Sequence, residues 1–288
     1  EDIMRFLDNV MSDFINRAPD EFANAKYSAM RERSVGLGVM GLHSYFQQKN
    51  IPFGSVMSKV WNKKIFKNIQ EKADLASITL AEERGACPDA EEYGIKERFS
   101  NKTAIAPTAS ISIICGGTSA GIEPISGNSY THKTLSGSFN VRNKYLKKVL
   151  EKYKKDDEET WSSITTKQGS VSHLDFLTDE EKDTFKTAFE IDQRWVVELG
   201  ADRTPHISQA QSINVFVPAD IHKKELHDIH FQAWKKGLKS LYYCRSKSIQ
   251  RAENVTAGSS TDVTKNVYQK KNKSNNDENN YEECLSCQ

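Results

Sequence analysis

Ser212-Ile213-Asn214-Val215-Phe216-Val217 alternates as a half-buried strand does. Asp220 stands where a helix cap is wanted, helical spacing runs to about Lys236, Gly237 can end it, and Leu238 to Cys244 reads as strand again. Strand, helix and strand in that span make one βαβ unit, which predicts a parallel sheet. Upstream, Thr178 with Glu181 forms a capping box, and Phe185, Phe189, Val196 and Leu199 continue a helix that Gly200 can close. Thr103 to Ser129 is rich in small and β-branched residues, punctuated by Gly116, Gly117, Gly121 and Pro124, which reads as short strand, tight loop and short helix. The first hundred residues read as mainly helical. Ile3, Met4, Phe6, Leu7, Val10, Met11, Phe14 and Ile15 make an apolar stripe that needs a covering surface, and a long amphipathic stretch runs from about Ser55 to Arg84, stopped by Gly85 and Pro88. The expected segments are therefore 1–100, mainly helical; 101–251, α/β; and 252–288, where Asn, Ser, Lys, Thr and acids leave almost nothing to bury and predict disorder.

The chain has 288 residues, with 40 Lys and Arg against 39 Asp and Glu, a balance that argues against nucleic acid or an anionic membrane as the main partner. No apolar run approaches the roughly 18 residues of a membrane span, and no signal peptide opens the chain, so a soluble, cytoplasmic protein is expected. Five cysteines in a large domain do not form a disulfide framework and suit free thiols in a reducing compartment. Cys87 and Cys115 read as buried or half-buried thiols. The start at Glu1 without Met suggests processing or a piece of something larger.

Several motifs carry both a chemical and a plain reading. Gly36-x-Gly38-x-x-Gly41 fits the dinucleotide fingerprint, but it lacks the preceding apolar strand and the acid about twenty residues on, so glycines permitting close packing at a turn into a helix is preferred. His227 and His230 sit three apart on a helix without a recognisable third metal ligand, which favours a solvated pair. In Pro107-Thr108-Ala109-Ser110-Ile111-Ser112, hydroxyls precede unpaired amides at a short helix start, where a phosphate can sit; alone, the stretch is better read as an ordinary helix cap. Tyr242-Tyr243 at a strand end is ambiguous between core pair and chemistry. Cys284-x-x-Cys287 lies in the polar tail. Zinc is a rival use, but a mobile dithiol is the more economical reading.

Taken together and in order, these stretches resemble the large, catalytic subunit of class I ribonucleotide reductase. The resemblance rests on Arg33 to Phe46 with its Gly-Leu-Gly-Val-Met-Gly-Leu core, Ala104-Ile105-Ala106-Pro107-Thr108-Ala109-Ser110, and Gly121-Ile122-Glu123-Pro124. It continues through Thr134 to Phe139, Gln209 to Asn214, Trp234 to Lys239, Leu241-Tyr242-Tyr243 and Glu283-Cys284-Leu285-Ser286-Cys287. It covers nearly the whole chain but only the C-terminal part of that subunit. It implies an α/β fold: the C-terminal part of a ten-stranded α/β barrel, with a helical N-terminal segment and a flexible tail. It further implies a radical reduction of ribonucleoside diphosphates to deoxyribonucleotides. Thr108, Ala109, Ser110 and Ile111 would take the substrate's phosphates, Tyr242 and Tyr243 would relay the radical, and Cys284 and Cys287 would return the enzyme to its reduced state.

The family's radical-forming cysteine, its partner cysteines and its allosteric sites lie upstream of Glu1. The implied partners are therefore the upstream large-subunit portion, a small subunit that generates the radical with a metal, and thioredoxin or glutaredoxin. This portion itself would bind no cofactor and no metal. A cut piece of the subunit and the downstream product of a split viral gene both fit. The alternative from a different class is a non-catalytic interaction module that binds the small subunit or a thioredoxin-like protein.

Overall fold

The apolar spacing at the N-terminus does form a helix, α1 (Asp2–Arg17). It is followed by α2 (Ala23–Glu32) and the short α3 (Leu42–Gln48). In this computed structural model, which describes residues 1–134 and 137–247, the long amphipathic stretch becomes α4 (Val56–Arg84). Ser55 and Ser58 cap it reciprocally, and Gly85, at φ +88°, ends it. Pro88 starts the next helix, α5 (Pro88–Glu92), its fixed φ suiting a first turn. Met4 of α1 packs with Ala73, Ala76 and Leu80 of α4 and with Phe99, while Phe6, Val10 and Phe14 face outward, Phe6 being 64% exposed.

After α6 (Ile111–Ile114), strands β1 (Ser129–Thr134) and β2 (Gly137–Arg142) pair antiparallel, with Ser129 opposite Arg142. Helices α7 (Lys144–Lys152), α8 (Glu158–Thr166) and α9 (Asp179–Thr184) close around Leu146, Leu150, Trp161, Ile164 and Phe185. The capping box of Thr178 and Glu181 is present, but the expected single helix to Gly200 is not. The chain leaves α9 at Phe185, whose ring is buried and whose carbonyl accepts from Asn128 Nδ2. A new helix, α10 (Gln193–Arg203), starts at its own cap, Asp192. Gly200 lies inside α10, where a Cβ would press on the Ile213 side chain at 2.8 Å, so its smallness serves packing and not termination.

The βαβ unit is present as β3 (Val215–Pro218), α11 (Lys223–Lys235) and β4 (Cys244–Lys247). The two strands run parallel with Val215 opposite Cys244. The α11 cap is His222, not Asp220, and Gly237 at φ +76° closes the helix, with the Leu238 N–H donating to the Ala233 carbonyl. Residues 238–243, expected as strand, are irregular, and regular pairing begins only at Cys244. α10 and α11 bury β3 through Val197, Val215, Val217, Ile229 and Ala233. The strand extends backward into a parallel ladder: Leu37 lies opposite Thr103 and Ile105 opposite Gln211. The order across the molecule is thus residues 35–37, 101–105, 209–218, then 242–247. Among the described residues this ladder does not close. It is an arc of a parallel barrel with helices packed outside it. Its main core gathers Phe46, Phe53, Phe66, Ile122, Leu199 and Ile213. The expected disordered stretch falls on residues 252–288, outside the described residues.

Candidate functional site

The glycine cluster settles first. A Cβ at Gly38 would run into the Ala104 carbonyl oxygen, and one at Gly41, at φ +82°, would lie 2.5 Å from Thr118 Oγ1. These glycines let neighbouring backbone approach, as the plainer reading expects. The chain then enters α3, where His43 is fully buried, its Nδ1 accepting from the Ile125 N–H at 2.9 Å. Burial pushes its pKa down to about 3 against a weaker opposing hydrogen bond at the Thr184 backbone, so it stays neutral. Of the pair on α11, His227 stacks on Phe231 and His230 Nδ1 is taken by the Leu226 carbonyl. Among the described residues no group of three or more His, Cys, Asp and Glu side chains is placed to hold a metal. Cys87 is buried as expected, whereas Cys115 is exposed, because α6 is a single short turn on the surface with its neighbour Ile114 82% exposed.

The loop from Ala106 to Ile111 follows the second ladder segment. Thr108 has φ +57°, an unusual conformation for a β-branched residue. It is held there by its hydroxyl, which accepts from the Gly121 N–H at 2.7 Å, and by its carbonyl, which accepts from Ser112 N–H. Gly121 permits this, since a Cβ there would stand 3.0 Å from the Ala106 carbonyl. The consequence is that the backbone N–H groups of Ala109, Ser110 and Ile111, and the Ser110 hydroxyl, have no partner among the described residues. Ser110 does not cap α6 with its side chain. Adjacent free donors of this kind suit an anion with several oxygens.

Tyr242 and Tyr243 have left the regular strand. In a regular parallel ladder one residue would bond to both Ile213 and Val215. Here the Val215 N–H donates to Tyr243, but the Ile213 carbonyl is taken by the Tyr242 N–H, at 2.8 Å. The displaced Tyr243 N–H donates instead to Asn214 Oδ1 at 2.9 Å. One extra residue is therefore inserted, a bulge that re-aims a side chain. The two rings, which would point to opposite faces of a regular strand, lie with centroids 4.1 Å apart and hydroxyl oxygens 3.4 Å apart, Tyr242 donating. Both are about two-fifths exposed, at 43% and 41%, so they are not a core pair.

The ladder brings the two features to one end of the sheet. Carried forward, the Ile105–Gln211 register sets Thr108 level with Asn214, whose other neighbour is Tyr243. Two strand spacings, about 10 Å, separate the outer segments. Where the 101–105 segment departs, the vacant edge of the 209–218 segment is filled by side chains: Glu123 Oε1 accepts from the Asn214 N–H at 3.3 Å, and Gln193 Oε1 from the Phe216 N–H at 2.8 Å. Glu123 is buried, and burial raises its pKa above the ordinary range despite hydrogen bonds from Asn214 and the charges of Arg245 and Arg203. Glu123, Asn214 and Arg245 carry no assigned role in the motif reading. Glu123 and Asn214 lie within stretches that carry the resemblance, one an acid between Ile122 and Pro124 and the other an Asn interrupting the apolar run of a strand, whereas Arg245 has no signal of its own. Cys284 and Cys287 lie outside the described residues.

A partial parallel α/β barrel, with an anion-ready loop and a contacting tyrosine pair at one end of its strands, defines the class. The ribonucleotide reductase barrel-domain model matches residues 1–98 and 88–244, and the chain belongs to that family. It is 46% identical over 261 residues to the ribonucleoside-diphosphate reductase large subunit of Invertebrate iridescent virus 6, covering 89% of this chain and 27% of that protein. It is 42% identical over 249 residues to the putative large subunit of Frog virus 3, covering 85% and 44%. The class Id ribonucleotide reductase alpha subunit of Actinobacillus ureae superposes with a TM-score of 0.79 at 40% identity, covering 85% of this chain and 45% of that one. The chain thus spans less than half the length of these relatives. No helix among the described residues is long and apolar enough to cross a membrane.

Proposed function

We propose that this chain is the C-terminal portion of a ribonucleoside-diphosphate reductase large subunit, reducing ribonucleotides to deoxyribonucleotides by radical chemistry once an upstream portion completes it. The observation that carries this reading is the bulged Tyr242–Tyr243 contact. Phenols are protonated at neutral pH, so a tyrosine passes on a radical by giving up a proton with its electron. Between the two rings the step balances: the O–H bond of one breaks as that of the other forms, and the phenoxyl radical changes residue. In this reading a small, metal-containing subunit delivers the radical to the pair, and the pair hands it toward a cysteine of the upstream portion. The Cys284–Cys287 dithiol then restores the reduced state at the expense of thioredoxin or glutaredoxin.

The test is complementation. The purified chain alone is expected to show no reductase turnover, and to gain it when mixed with the upstream portion of a relative such as the iridescent virus subunit together with a small subunit. The exposed Phe6, Val10 and Phe14 and the unpaired outer edges of the ladder are the surfaces such a portion would cover. Turnover by the chain alone would overturn the proposal. Co-purification with a small subunit but no turnover after complementation would favour the interaction module.

The same assay reads the anion loop. The substrate's diphosphate is proposed to lie on the Ala109, Ser110 and Ile111 amides and the Ser110 hydroxyl. Ser110→Ala is expected to raise the apparent substrate constant by the equivalent of one charge-assisted hydrogen bond, about 1.5–3 kcal/mol. Thr108→Ala should add to this by releasing the bond to Gly121 that sets the loop. An unchanged substrate constant in the double variant would remove the loop from substrate binding.

A further inference from the structure

Asn214 Oδ1 accepts the N–H displaced by the bulge at Tyr243, and the Asn214 side chain does not stand alone. Its own backbone N–H donates to Glu123 Oε1, and its side chain hydrogen-bonds the same carboxyl. Glu123 is buried and sits where a departing strand has left the ladder incomplete, so a neutral or charged oxygen there satisfies a donor that would otherwise be orphaned. On the other face, the Arg245 guanidinium carbon lies 5.8 Å from the centroid of the Tyr243 ring. The buried Nε of Arg245 has no hydrogen-bond partner among the described residues, and the Arg245 charge acts on Glu123. Asn214 therefore holds Tyr243 by its backbone, Arg245 lies over the Tyr243 ring, and Glu123 in turn holds Asn214.

We propose that these three residues are a positioning clamp for the tyrosine pair: Glu123 fixes Asn214, Asn214 holds the bulge at Tyr243, and Arg245 seats the Tyr243 ring against Tyr242. The inference deepens the relay reading and rests on it for its catalytic consequence, though not for its geometry. The carboxyl serves as an acceptor, and burial favours its neutral form, so the neutral amide of glutamine is a close substitute. Alanine removes the acceptor altogether. The discriminating comparison is thus Glu123→Gln against Glu123→Ala.

Two measurements separate the parts. In the full chain with ring-labelled tyrosines, the Tyr242–Tyr243 ring NOE is expected to persist in Glu123→Gln and to be lost in Glu123→Ala and Asn214→Ala. In the complemented enzyme with its small subunit, Glu123→Ala is expected to lower kcat at least roughly tenfold, the scale of one broken buried hydrogen bond. Its KM should not change, and Glu123→Gln should recover most of the loss. Arg245→Met is expected to weaken the ring contact and reduce the yield of radical trapped on 3-aminotyrosine at position 243 a few-fold, in keeping with a cation–π contact. Should Asn214→Ala fail to assemble, the Glu123 pair still decides. The clamp is refuted if Glu123→Ala keeps both the ring contact and full turnover, or if Gln and Ala lose turnover equally. If the ring contact responds as expected but Tyr242→Phe and Tyr243→Phe remain fully active, the clamp stands as geometry and the relay reading is what fails.

Discussion

Tyr243→Phe in the complemented enzyme is expected to leave no measurable turnover, a loss of at least roughly a thousandfold, or more than about 4 kcal/mol added to the barrier. Phenylalanine keeps the ring, and with it the ring contact with Tyr242 and the contact with Arg245. It lacks the O–H bond whose breaking and forming would carry the radical. The same holds for Tyr242→Phe. Because both rings are already substantially exposed and only an oxygen is removed, secondary structure, assembly and the substrate constant should stay as in the parent. Steady-state turnover alongside circular dichroism checks this. Full activity in either variant would return the pair to ordinary side-chain packing.

The largest effect on stability is expected at Asp8, far from that chemistry. Its carboxylate is completely buried and receives Arg33 Nε at 3.0 Å, Arg84 at 2.7 Å and Arg98 Nε at 2.9 Å. It thereby ties α1 to the end of α2, the end of α4 and the segment before the ladder. Burial alone would raise its pKa, but the hydrogen bonds from Arg98, Arg33 and Arg84 outweigh burial and hold it below the ordinary aspartate value. Asp8→Ala leaves the buried Arg33 and the largely covered Arg98 without their anion, which costs about 3–5 kcal/mol when a buried pair loses one member. Arg84→Met should cost much less, since Arg84 is the most exposed of the three. The sign with pH follows from the lowered value. The contribution is complete above the unfolded aspartate pKa of 3.8 and disappears as pH falls through the lower folded value. Hydrogen exchange of the α1 amides, measured for parent and Asp8→Ala at neutral pH and in acid, reads this directly. Equal protection of α1 in both would rule it out.

What was legible in the chain were features encoded within a few residues of one another. The βαβ unit, the Ser55 to Arg84 helix and the Thr178 capping box are local, and each formed. The readings that failed did so where a distant group decided. Leu238 to Tyr243 has the composition of a strand, but its backbone is diverted by Asn214, which lies on another segment. The helix expected from Thr178 to Gly200 breaks because Phe185 is drawn into the α7–α8 cluster and Asp192 supplies a fresh cap. The Asp8 cluster gave no warning, since four charged residues spread from α1 to Arg98 look like solvated surface until folding gathers them. For the candidate site, motif resemblance singled out Tyr242, Tyr243 and the Thr108 to Ile111 loop. That neighbouring rings can touch only off a flat strand follows from strand geometry alone, while the residues that enforce the bulge lie on other segments and leave no local mark.

The way the ladder is stitched has a consequence for the birth of the molecule. Leu37 waits for Thr103, and Ile105 waits for Gln211, so each junction must close a long loop before any pairing energy is returned. The β3–α11–β4 unit alone closes a short one. The second junction spans the longer stretch of chain, so the 101–105 segment waits longest for its partner at Gln211, and the β3–α11–β4 unit is the seed on which the earlier segments can dock. Such a chain ripens slowly and is vulnerable to edge-to-edge association while it does. A complementary fragment present during that interval would meet a template still open to it, which makes simultaneous synthesis a more favourable route to a joint barrel than the mixing of two matured pieces.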